Sequence, residues 1–141
     1  MKAVLIASII LFSAASSANA DLIKCEMRAG DTYVESINGE LSVKELEPAD
    51  LGYTVYRVDG SSNVKVVDAS VDFESEQEAV ENLDWTFLDG NYYGLGLAER
   101  DGVMGILSTV LSQNKSVATM TALVAGTPIL VHLERECRTL D

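Results

Sequence analysis

Past residue 20, apolar and polar residues alternate in short runs, and turn-forming residues cut those runs roughly every ten positions. That punctuation confines the chain to an all-β fold, mostly an antiparallel meander, either closed as a small barrel or stacked as a β-sandwich. Thr32 to Ile37 reads as a strand, Asn38-Gly39 as a two-residue hairpin turn, and 40–46 as the return strand. Pro48-Ala49-Asp50 breaks the run, 53–58 alternates again, and Asp59-Gly60-Ser61-Ser62 makes the next turn. Between 63 and 73 the alternation slips: Val64 and Val66 share one phase, whereas Val67, Ala69, Val71 and Phe73 share the other. A one-residue slip of this kind is what a β-bulge produces.

Residues 75–83 hold the single helical candidate. Ser75 with Glu78 three positions later forms a capping box, and Ala79, Val80 and Leu83 recur at helical spacing. The strand pattern resumes at 85–88 and ends at Asp89-Gly90. Four longer runs follow at 92–99, 103–111, 117–124 and 129–137. Gly94 and Gly96, inside the first of these, predict a bend, a bulge or the close approach of another backbone.

Between Gly102 and Leu133 the only formally charged side chain is Lys115. Val103, Leu107 and Leu111 lie on one strand phase and Met104, Ile106 and Val110 on the other. In the next run Val117 and Leu123 oppose Ala118, Met120, Ala122 and Val124. A strand that faces water on one side carries polar residues at every second position, so a cover is expected over the second face. The nearer cover is the helix at 75–83, through Ala79, Val80 and Leu83. The other is a protein partner or a second copy of the chain, with Met104, Ile106, Val110, Met120 and Val124 as the candidate contact residues.

The N-terminus reads as an export signal. Lys2 precedes an apolar run over 3–12, and small residues lead to Ala18-Asn19-Ala20 before Asp21. Cleavage there leaves one domain, 21–141, in the periplasm or the extracellular space. The apolar run is shorter than the ~20 residues a spanning helix needs, so no membrane span is expected after cleavage. All 22 acidic residues and nine of the ten Lys and Arg fall in 21–141, a net charge of −13. Such a surface repels nucleic acid and anionic lipid and suits a basic protein partner. The acidity is uneven: 21–90 holds 17 acids and five bases, 91–141 five and four.

Cys25 and Cys137, one near each end of the domain, are expected to form a disulfide, since an exported chain with an even pair and no C-x-x-C uses it structurally. Closing a loop of more than a hundred residues is worth about 4–5 kcal/mol in the chain-entropy account. Both cysteines fall on the apolar phase of their strands, with Ile23 and Met27 in the first and Ile129, Val131 and Leu133 in the last. Arg135 falls on that phase too, without a sequence partner to explain it.

The chemistry on offer is thin. His132 is the single histidine, no G-x-S-x-G elbow is present, and one histidine beside two bridged cysteines is too few for zinc. Asp68, Asp72 and Glu74 are candidate ligands for a hard cation, but no D-x-[DN]-x-[DN]-G loop accompanies them, and a solvated acidic face is the simpler reading. No metal, cofactor or catalytic residue is expected. The function expected is an exported, non-enzymatic binding or interaction protein. Its alternatives are an acidic inhibitor of a basic secreted enzyme and a small β-barrel that carries an apolar ligand.

Overall fold

A computed structural model describes residues 20–100 and 102–141. The export segment expected at 1–20 therefore lies, apart from Ala20, outside the described residues. Ten strands make one antiparallel sheet: β1 (Asp21–Met27), β2 (Thr32–Ile37), β3 (Glu40–Glu45), β4 (Gly52–Val58), β5 (Val64–Ala69), β6 (Asp84–Leu88), β7 (Asn91–Arg100), β8 (Val103–Leu111), β9 (Lys115–Val124) and β10 (Thr127–Leu140). Among the described residues one helix, α1 (Phe73–Glu81), connects β5 to β6, and one 3-10 turn, Pro48–Asp50, connects β3 to β4. The all-β expectation holds, and the sheet curls into a half-barrel.

β10 organises the sheet. One of its sides pairs with β9 from 127 to 136. Its other side meets β2 at 129–132 and β1 at 136–140. β1 and β2 are therefore two halves of one lane, and β4 and β3, their respective neighbours, are two halves of the next. Ten strands thus occupy eight lanes, running β5, β4, β1, β10, β9, β8, β7, β6. The first and last strands are adjacent, and Cys25 stands opposite Cys137 in register, joined by a disulfide with Cα atoms 4.0 Å apart. Their adjacency does not close a barrel, because β4 and β5 lie beyond β1. Closure would require β5 to pair with β6, and α1 occupies that gap.

The core lies on the inner side of the curl. Ile23 and Cys25 from β1, Tyr56 and Val58 from β4, Val64 and Val66 from β5, Tyr92 from β7 and Leu111 from β8 meet there, with Val80 of α1, Leu83 and Trp85 filling the open side. Each large apolar side chain so buried contributes about 1.5–3 kcal/mol. Trp85 keeps its indole N–H satisfied inside this cluster by donating to the Val80 carbonyl at 3.0 Å. Gly94 and Gly96 make room for these residues. A Cβ at Gly94 would lie 2.9 Å from the Trp85 ring, and one at Gly96 would lie 2.8 Å from the Asn82 carbonyl oxygen. At Gly96 the close approach is that of the α1–β6 connection's backbone, and at Gly94 the space is taken by the Trp85 side chain of β6.

Local chemistry sets the other joints. Asn38 and Gly39, with φ of 51° and 86°, make the expected hairpin turn. The slip in β5 is a bulge: Tyr56 faces Val66 and Val55 faces Asp68, leaving Val67 without an opposite residue. The helix starts earlier than the Ser75–Glu78 pattern suggests. Asp72 is the cap, its carboxylate accepting from the Ser75 backbone N–H at 3.4 Å. Ser75 therefore sits inside the first turn and supplies its backbone N–H to the cap.

Candidate interaction surface

The strand registers sort each residue of β7–β10 onto one of two faces. Tyr92, Thr109 and Leu111 belong to the inner face and are buried. The same phase continues through Gly96, Leu107, Met120 and Val131, which lie side by side across β7, β8, β9 and β10. Leu107, Met120 and Val131 are half-buried.

The outer face is different. One row across it reads Leu97, Ile106, Thr121, Leu130, Ser36, Leu41, from β7 through β8, β9, β10 and β2 to β3. The next row reads Leu95, Ser108, Thr119, His132, Val34, Val43. Beyond the first row, Met104 and Leu123 extend the apolar surface. Leu41, Val43, Leu95, Leu97, Met104, Ile106 and Leu123 are each more than half exposed. Neither row contains a Lys, Arg, Asp or Glu. The outer-phase carboxylates that border these rows are Glu99 opposite Met104, Asp84 opposite Leu95, Glu45 beyond Val43, and Glu134, which Lys115 neutralises at 3.7 Å.

The five candidate contact residues divide between the two faces. Met104, Ile106 and Val110 are on the outer face, whereas Met120 and Val124 share the inner phase. The helix does not cover the outer face. α1 packs against β5 and turns Val80 toward the core, because it is tethered between β5 and β6, the two free edges of the curl. Sequence reasoning missed Leu95, Leu97, Leu41 and Val43. β7 carried the signal, since Leu95 and Leu97 alternate with glycines. The contribution of β3 was invisible without knowing that β2 joins β10.

Other candidate chemistry is taken up by structural contacts. Asp68 accepts from the Tyr53 hydroxyl at 3.2 Å, and that hydrogen bond and charge hold the Tyr53 hydroxyl pKa above its ordinary value. Asp72 caps α1, and among the described residues no three His, Cys, Asp or Glu are placed to hold a metal. His132 lies on the outer face, its Nδ1 3.0 Å from the Thr119 hydroxyl and its Nε2 3.7 Å from Glu134. Arg135, unexplained by the sequence, points inward. Its guanidinium donates to Thr54 at 3.2 Å, to Ser116 at 3.4 Å and to the Tyr56 hydroxyl, with the Tyr56 ring centroid 5.7 Å away. All three acceptors are buried.

No family model matches the chain, and no curated protein or solved structure matches it either. Among the described residues no helix is long and apolar enough to cross a membrane.

Proposed function

We propose that the chain is an exported, non-enzymatic interaction protein whose outer sheet face, apolar at its centre and acidic at its margin, binds a protein partner with a basic rim. The carrying observation is the pair of uncharged rows across the outer face of β7–β10, β2 and β3, in a chain whose formal net charge is −12. Exposed apolar side chains gathered on one uncharged stretch of surface point to a contact site. Covering its side chains removes apolar area from water, which is the favourable term in association. The acidic margin at Asp84, Glu99 and Glu45 favours a partner with Lys and Arg around its own apolar patch. The disulfide accords with an oxidising compartment. An inhibitor of a basic secreted enzyme is the narrower form of the same reading, because the net charge would speed encounter with such a target.

The apolar-ligand carrier has less support. Core side chains fill the inner face where the curl is tightest, and the larger apolar exposure is outside.

Ile106→Glu tests the proposal. An exposed position tolerates the change within about 0.5 kcal/mol, so the melting temperature should stay near that of the parent. Capture of a partner from the exported protein fraction of the source organism should fall sharply. Unchanged capture by a folded Ile106→Glu protein would count against the outer face as the binding surface.

A further inference from the structure

The free edge of β3 supports an inference that goes beyond the outer face. β3 pairs with β2 alone, and all six of its residues are exposed, so the backbone groups on its far side point into solvent. Edges are usually blunted by proline, a bulge or an outward lysine. Glu40–Glu45 contains no proline and keeps an unbroken register with β2. Its one lysine, Lys44, is held by Glu35 of the same sheet, which raises the Lys44 pKa first through that hydrogen bond.

We propose that β3 pairs antiparallel with β3 of a second copy of this chain, about a twofold axis at Ser42. A twofold axis perpendicular to the sheet places residues of the same face opposite each other, so the numbers of opposed residues must sum to an even value. With the axis at Ser42, Glu40 faces Lys44 of the second copy, Leu41 faces Val43, and Ser42 faces Ser42. Each of the first two pairs occurs twice. Opposite charges meet on the inner face and apolar side chains on the outer. Moving the axis one residue to Val43 would oppose Leu41 to Glu45 and Ser42 to Lys44, losing both matches. Moving it to Leu41 shortens the overlap and leaves Lys44 without its glutamate. The Ser42 register alone satisfies charge and polarity together, and it makes the outer apolar faces of the two copies continuous through Leu41 and Val43.

Two experiments on the full disulfide-bonded domain test it. Under mild oxidation, Ser42→Cys should cross-link to a covalent dimer at least about tenfold faster than Leu41→Cys, because only position 42 meets its own copy across the axis. In sedimentation, Glu40→Lys and Lys44→Glu should each weaken the dimer by about tenfold when alone, since each turns two attractive pairs repulsive. Mixing the two variants should restore the dimer, because every opposed pair then carries opposite charges. Circular dichroism checks that each variant is folded. A parent protein that stays monomeric at high micromolar concentration, equal cross-linking at 41 and 42, or a mixture that remains monomeric would each overturn the proposal.

Discussion

The guanidinium of Arg135 bonds to two hydroxyls of β4 and one of β9, so it joins lanes on either side of the disulfide across the inner face of the curl. Its acceptors are neutral, and its planar fork reaches all three at once. Arg135→Met removes the common donor from three buried hydroxyls, and the expected loss is about 1–3 kcal/mol, because unmatched buried polar groups keep their desolvation cost. Arg135→Lys should recover only part of it, since an ammonium cannot spread over three partners from one position. Urea unfolding with an unchanged m-value measures both. Sequence alone could place Arg135 on the apolar phase but could not explain it. Thr54, Tyr56 and Ser116 are 81, 79 and 19 residues away, and only the register of β10 against β9 and the β1–β4 pair brings them in.

At the scale of elements, what was legible followed from short-range chemistry. The β2–β3 hairpin was readable because Asn38-Gly39 suits the positive φ that its turn adopts. The Val67 bulge was readable because a phase slip leaves a trace in the alternation itself. The start of α1 was misplaced because Ser75 and Glu78 imitate a capping box, whereas the chain leaves β5 through a left-handed Asp72 with φ of 45°. That conformation separates two roles of the residue. Asp72→Ala loses the cap and puts a Cβ-bearing residue without a local polar partner in the left-handed region, and should cost about 1–2 kcal/mol. Asp72→Gly loses the same carboxylate but accepts the backbone freely, and should cost only a few tenths. Thermal melts of the two variants check the order. Equal losses would mean that the backbone conformation at 72 contributes nothing.

For the whole molecule, the decisive unknown in the sequence was which face of the neutral strands points outward. Apolar residues occupy both phases of β8 and β9, so alternation could not choose between them. The choice is made by lane order: α1 is fixed between β5 and β6 and plugs the inner side, and nothing in 20–100 or 102–141 lies over Leu97 and Ile106. The cysteine pair left open whether the first and last strands are neighbours or are bridged between two sheets. It could not foretell that β2 extends the lane of β1 and carries β3 out to widen the apolar face. The proposed function requires the partner to sit on this outer face. The most direct test is site-specific photo-cross-linking in the source organism, with a benzophenone side chain placed at Leu97, at the β7 end of the apolar row, or at Glu78 on the acidic helix. A discrete adduct is expected from position 97 and none from position 78. Adducts from 78 alone, or none from 97 in folded protein, would contradict the proposed function.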